Sequence, residues 1–242
     1  MTEFGCSPRR KAAGVKAAGV KAAGLRAAGV LACVSIACAG SALAQNAPPA
    51  LSVGALSSDF SALATLKPLV AQGKGKVGVL LPETTTSARY TSFDAPYLTK
   101  AFETAGLPAD QFIITNAQGS ESTELTQAQS DISQGATVLV MDPISSGVGA
   151  AIETYAKSHG VPVIDYDRLT LGGSRAYYVS FNNVEVGKLI GQGMVECIKT
   201  WNVQHPQILV MRGAPTDNNA TLFAEGYDGV LQPLFGSGQY VK

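Results

Sequence analysis

Short, continuous apolar runs alternate with segments of helical period along most of the chain. The runs are 77–81 (VGVLL), 112–116 (FIITN), 137–141 (TVLVM) and 161–166 (VPVIDY). Continuous rather than alternating apolar character is expected of strands covered on both faces. The segments between them, 96–106, 122–135 and 146–160, have helical period and close at Gly106, Gly135 and Gly160. Glycine there suits the left-handed residue that commonly ends a helix. Strand and helix in alternation predict an α/β fold: a parallel sheet with flanking helices on both sides.

The rhythm changes after Arg168. A polar connector leads to an expected strand at 177–181, a long helix at 182–201, a strand at 207–213 and a helix at 221–235. This pattern predicts a second α/β unit with too few strands to complete its own sheet. The expected division is therefore an α/β unit over 74–170 and a partial second one over 171–242. Residues 45–73, rich in Ala, Pro, Ser and Leu, read as a leader with a short helix around 61–69.

The first 44 residues read as an export signal. A basic stretch precedes the apolar run AAGVLACVSIAC (27–38), and Ala42-Leu43-Ala44 fits a small-x-small cleavage site. The run falls short of the ~18–20 apolar residues that span a bilayer. No membrane span is therefore expected after cleavage, and the mature protein is expected in the periplasm or at the cell surface. The near-repeat KAAGV KAAGV KAAGL RAAGV before the run reads as low-complexity extension. A lipid on Cys33 or Cys38 lacks a supporting sequence context.

The formal charge of zero over 242 residues hides an asymmetry. Six basic residues stand against Glu3 in the first 44, leaving 12 basic and 17 acidic residues from position 45 on. An acidic body argues against a nucleic-acid partner, which needs clustered Lys or Arg. Cleavage after Ala44 would leave one cysteine, Cys197, read as a small buried residue of a helix. That leaves no intramolecular disulfide framework and no zinc spacing.

Ligands of an open parallel sheet sit beyond the carboxyl ends of its strands. In this chain polar side chains gather at those ends: Arg89 and Tyr90 after the first run, Asp142 and Ser145 after the third, Asp165, Asp167 and Arg168 after the fourth. Asn182 and Asn183 follow the run at 177–181, and Asp217, Asn218 and Asn219 follow that at 207–213. A carboxylate accepts two hydroxyls, Arg and amides donate, and an aromatic face covers sugar C–H groups. The set suits a neutral polyhydroxylated ligand better than a phosphate or a metal. Each piece also has a plain structural reading. Asp142 and Asp165 can cap turns, Arg168 can pair with Asp167, and Tyr90 can cover surface. Period-two alternation puts Asp165 and Asp167 on one face of their strand.

No nucleophile elbow, P-loop or dinucleotide fingerprint is present, so neither an enzyme nor a cofactor is expected. His159 and His205 stand in turn-like settings before Gly160 and Pro206 and read as exposed loop residues. Nothing in the spacing sets Asp142 and Asp167 across a glycosidic bond. A sugar-responsive repressor would carry a helix-turn-helix where this chain carries its export signal.

The stretches 76–90 (KVGVLLPETTTSARY), 116–143, 160–169 (GVPVIDYDRL), 177–192 and 213–226 (GAPTDNNATLFAEG), in order and at similar spacing, resemble the sugar-binding type I periplasmic binding proteins, xylose-binding proteins among them. The resemblance implies a two-lobed fold that closes on an aldose and delivers it to the membrane subunits of an ABC importer, in some relatives to a chemoreceptor. It implies that Arg89, with Tyr90 where relatives usually have Trp, Asp167 and Arg168 of the Tyr-Asp-Arg motif, and Asn218 and Asn219 of the Asp-Asn-Asn motif contact the sugar, Asn219 foremost. Ser145 departs from the usual Asp or Asn, and Asn182-Asn183 from Asp-Asn. Relatives continue for roughly 100 residues more, as a two-domain chain would. The expectation is therefore a C-terminally truncated chain with an incomplete second lobe, binding a monosaccharide weakly. The alternative is an exported remnant that binds none.

Overall fold

The computed structural model describes residues 51–85 and 87–242. The export-signal reading and the start of the leader lie outside the described residues. Short helical turns at Val53–Ala55 and Ser61–Leu66 lead into α1 (Lys67–Val70), where the pattern places a short helix. Strands β1 (Lys76–Leu81), β2 (Phe112–Asn116), β3 (Ala136–Met141), β4 (Val163–Tyr166) and β5 (Tyr177–Val179) form one parallel sheet in the order β2-β1-β3-β4-β5. The helices are α2 (Ala95–Ala105), α3 (Glu121–Ser133), α4 (Ser146–Ser158), α5 (Asn183–Thr200) and α6 (Asn218–Gly236).

Successive side chains of a strand point to opposite faces, so an apolar run needs a core on each side. Leu80 joins Leu139, Met141, Ala128, Ile152 and Ala156 in the core beneath α3 and α4. Its neighbours Val79 and Leu81 join Tyr90, Leu98 and Phe102 in the core beneath α2. Helix ends follow the glycines: Gly106, Gly135 and Gly160 have φ of 95°, 94° and 71°. At the starts, side-chain oxygens of Ser120, Ser145, Asn182 and Asp217 accept backbone N–H groups of the first turn. The sheet grows outward in both directions from β1, to β2 on one side and β3 on the other. The loops leaving β1 and β3 therefore diverge and open a crevice at the carboxyl ends.

α5 and α6 cross closely over glycine. A Cβ on Gly226 would lie 2.1 Å from the Val184 carbonyl oxygen, and one on Gly187 2.2 Å from that of Phe223. Their shared core holds Ile198, Ala224, Tyr227, Leu231 and Tyr240. The strand expected at 207–213 is not formed. Ile208 is buried, but Leu209 and Met211 are 85% and 84% exposed. The segment makes a single parallel bridge, Gln207 to Val241. Its backbone has no second strand to pair with among the described residues, and apolar alternation without a partner does not make a strand. β5 is shorter than expected for the same reason: it is an edge strand, and all three of its residues are exposed. Cys197 is half-buried rather than buried. No helix among the described residues is long and apolar enough to cross a membrane.

Two carboxyls sit on the inward face of α3. Burial pushes Glu124 from 4.5 up to about 7 and Asp131 from 3.8 up to about 6. Glu124 accepts the Ile144 N–H at 3.1 Å, while Asp131 fills space that a Cβ on Gly78 would occupy. Both folded values exceed the unfolded ones, so between pH 4.5 and about 7 the folded state holds a Glu124 proton that the unfolded chain has released. That contribution makes stability fall as pH rises through this window. We expect Glu124→Gln to flatten the fall by roughly 2–3 kcal/mol, read from urea unfolding at pH 4.5 and 7.5 beside the parent. An unchanged slope would place the proton elsewhere. At the helix crossing, Gly226→Ala is expected to destabilise by about 1–3 kcal/mol in the same assay, whereas Gly229→Ala, where a Cβ meets nothing within 4 Å, is not.

Candidate functional site

β4 closes with Asp165 and Tyr166 and is followed by Asp167 and Arg168, and the four side chains part company. Asp165 is fully buried; its carboxylate accepts the Thr170 N–H at 2.7 Å and lies 3.7 Å from Arg175. Asp167 adopts φ 66°, a left-handed conformation that Asp tolerates better than most residues. Its N–H donates to the Val179 carbonyl at 2.9 Å, the last rung toward β5. The turn releases Asp167 from period-two alternation, so it and Asp165 do not share a surface as strand spacing implies.

The turned carboxylate meets Arg89, whose Nη1 lies 2.9 Å from Asp167 Oδ2. On its other side Arg89 Nε donates to Asp94 Oδ2 at 2.8 Å, and the Tyr166 hydroxyl donates to Asp94 Oδ1 at 2.7 Å. Burial works against the Arg89 charge, but the Asp94 hydrogen bond and the Asp167 charge outweigh it and raise its pKa. For Asp167 burial is the larger influence and raises the carboxyl, with Arg89 opposing.

Arg168 does not hold Asp167. Its Nε lies 3.3 Å from Asp217 and 3.5 Å from Asp142, and its Nη2 donates to the Tyr90 hydroxyl at 3.0 Å. Tyr90 is buried, with the guanidiniums of Arg89 and Arg168 over its ring at 5.0 and 5.7 Å from the centroid. Asp142 is fully buried, and burial, reinforced by the charge of Asp167, pushes it well above the usual carboxylate range. Burial raises the Tyr90 phenol too.

The second strand-end set approaches from α6. Asn219 Nδ2 donates to the Asp167 carbonyl at 3.1 Å and lies 3.4 Å from its carboxylate. Its Oδ1 accepts from Asn183 at 2.8 Å. Asn219 is buried and its amide is already committed, so it fixes Asp167 rather than offering a free donor. Ser87, Arg89, Tyr90, Asp167 and Arg168 line one side of a cleft of about 500 Å³, and Arg212, Gly213, Ala214, Asp217, Asn219 and Phe223 line the other.

Arg89, Tyr90, Asp167, Arg168 and Asn219, named from sequence, thus line one hollow. Asp142 sits beneath it as the partner of Arg168. Ser145 and Asn182 are committed to helix caps, accepting from Val148 and Glu185. Asn218 is half-buried at the start of α6 and does not line the cleft. Sequence reasoning did not single out Asp94 or Tyr166 as site residues, and it named Asn183 only as a polar residue beside Asn182 at a strand end. Asp94 follows Arg89 by five residues through a wide helical turn, Tyr90–Asp94, that brings the two side chains together. No periodicity signals that turn. His159 and His205 are exposed as expected. No group of three or more His, Cys, Asp or Glu placed to hold a metal occurs among the described residues.

Residues 77–242 match the model of a periplasmic binding protein domain. The chain is 34% identical over 174 residues to the multiple sugar-binding periplasmic protein SbpA of Azospirillum brasilense, covering 71% of this chain and 47% of that one. It is 34% identical over 126 residues to the D-xylose-binding periplasmic protein of Escherichia coli (strain K12), covering 52% and 37%. It thus spans about half, or less, of the length of these relatives. A solved ABC-transporter solute-binding protein from Clostridium phytofermentans with bound β-D-glucose superposes with a TM-score of 0.61 at 29% identity, over 68% of this chain and 50% of that one. A carbohydrate transporter solute-binding protein from Chloroflexus aurantiacus in complex with D-glucose gives 0.60 at 34%, over 68% and 46%. The matched domain, together with a parallel sheet that superposes on solved sugar-bound members, establishes that the chain belongs to the periplasmic binding protein family.

Proposed function

We propose that the cleft binds a neutral monosaccharide, an aldose such as xylose, and that the protein presents it to the membrane subunits of an ABC importer. The observation that carries this reading is the convergence of Arg89 and Asp167, 2.9 Å apart, on the wall of a hollow within the ~300–1,000 Å³ range of small-molecule sites. A sugar hydroxyl needs a donor and an acceptor side by side. Arg89 supplies N–H groups and Asp167 carboxylate oxygens, each held rigid from behind by Asp94 and by Asn219. Arg168 and Asp217 repeat the arrangement at 3.3 Å across the cleft. The Tyr90 ring lies between the two pairs. Sugar-binding relatives and glucose-bound structural neighbours support the same class of ligand.

Affinity of the 242-residue chain is expected in the millimolar range, about −4 kcal/mol, because the wall from Arg212 to Ala214 comes from a segment that makes no ladder. NMR titration with D-xylose, L-arabinose and D-glucose tests this. Saturable shifts confined to amides around 87–90, 167–168 and 213–219 are expected. Asp167→Ala should weaken binding at least ~10-fold by leaving Arg89 without its cleft-side partner. Tyr166→Phe, behind Asp94 and outside the cleft lining, should cost about 0.5–1.5 kcal/mol of stability and move the sugar affinity far less. Absence of saturable shifts with every sugar would favour the alternative, an exported domain that binds none.

A further inference from the structure

A hollow of about 620 Å³, larger than the cleft, opens at the opposite end of the sheet. It lies where β1 and β3 begin, with Lys76, Val77 and Val138 in its wall, and it is closed from the side by α1 and the Gly106-Leu107 turn after α2. The length of β1 separates it from the cleft by roughly 20 Å.

Its charge runs against that of the body. Residues 45–242 carry 12 basic and 17 acidic residues, yet Lys67, Lys74 and Lys76 line this hollow and no Asp or Glu does. None of the three lysines makes an ion pair among the described residues. The acids nearest in sequence, Glu103 and Asp110, are exposed and outside the lining. With three lysines and no acid among its lining residues, the hollow favours an anion over a cation or a neutral group.

The lysines are also presented on fixed backbone. The Thr137 hydroxyl donates to the Lys74 carbonyl at 2.7 Å, and the Lys76 N–H donates to the Gly135 carbonyl at 2.9 Å. Gly75, at φ 79°, packs so tightly on Thr137 that a Cβ would lie 2.2 Å from its methyl. Lys67 lays its stem against Gly106, where a Cβ would meet Lys67 Cγ at 3.0 Å. Its apolar stem thus forms wall while the ammonium stays available. Between the lysines the surface is apolar, from Val77, Leu107 and Val138.

We propose that this hollow binds a small organic carboxylate with an apolar body, at a site separate from the cleft. The carboxylate sits among Lys67, Lys74 and Lys76, and the apolar body lies against Val77, Leu107 and Val138. The inference does not depend on the sugar reading, because the two sites share no residue.

Isothermal titration of the 242-residue chain with sodium octanoate, octan-1-ol and sodium acetate tests it. Octanoate is expected to bind one per chain, ~10-fold or more tighter than octanol or acetate, because only octanoate carries both the charge and the apolar body. Octanol discriminates this site from exposed apolar surface such as Leu209 and Met211, which would take octanol and octanoate alike. Lys74→Glu/Lys76→Glu should abolish octanoate binding with an unchanged circular dichroism spectrum, and Lys74→Ala/Lys76→Ala serves if the charge reversal prevents folding. Added D-xylose at high concentration should leave the octanoate titration unchanged. The proposal is overturned by equal affinity for octanol and octanoate, by no heat with octanoate, by a folded double variant that titrates like the parent, or by competition from xylose.

Discussion

The ion pair between Arg89 and Asp167 is the constraint on which the rest of the site depends. It forms only because Asp167 leaves the strand through a left-handed backbone, which turns its carboxylate away from the face that buries Asp165. The Asp167 carboxylate, 13% exposed, has little water around it and needs a partner of opposite sign. Arg89 has two, Asp94 and Asp167, on opposite sides of its guanidinium. Asp94 is itself fixed by the Tyr166 hydroxyl, so the residue before the turn and the residue within it both bear on the same arginine. Arg89 is thus held from two sides, with the Tyr166 hydroxyl behind Asp94.

Arg168 carries the second half of this arrangement. It lies against the Tyr90 hydroxyl and between Asp142 below and Asp217 beside the cleft. Asp142 is enclosed, and burial raises its pKa first, with the charge of Asp167 adding to the effect. Arg168 opposes both influences, so its own position is a compromise between neutralising a buried acid and reaching the acid at the cleft. Both guanidiniums lie over the ring of buried Tyr90, so the phenol stabilises the two cations rather than presenting a bare aromatic face to the cleft.

The strands and helices of the sheet could be read from the chain because each obeys a local rule. Leu80 and Val79 must each find a core, so VGVLL can only be a strand with two covered faces, and the glycines at 106, 135 and 160 stop helices by a backbone conformation that other residues resist. The segment 207–213 has the same apolar spelling but lacks a neighbour with which to share hydrogen bonds, and pairing is not a local property. The site divides in the same way. Asp167 and Arg89 were visible as polar residues at strand ends, and the structure brings both to one cleft. Ser145 and Asn182 share that address, yet their oxygens close the first turns of α4 and α5, and sequence position alone does not separate a cap from a contact. Asp94, Tyr166 and Asn183 act through other residues, and only three-dimensional proximity reveals that kind of role.

The helix pair α5–α6 is tied to the sheet through the cleft itself. Asn219 donates to the Asp167 carbonyl, and Asp217 faces Arg168 across 3.3 Å, so both ties are polar and both end on residues of the lining. The apolar packing of α5 and α6 is largely with each other, over Gly187, Gly191 and Gly226, and not with the sheet. Polar contacts of this kind hold two parts less firmly than a continuous core and leave them able to shift. A ligand that bridges Arg89 and Asp167 on one side and Asp217 on the other would add hydrogen bonds to a junction that has few. The side chains proposed to bind a sugar are therefore the same ones that tie the helix pair to the sheet.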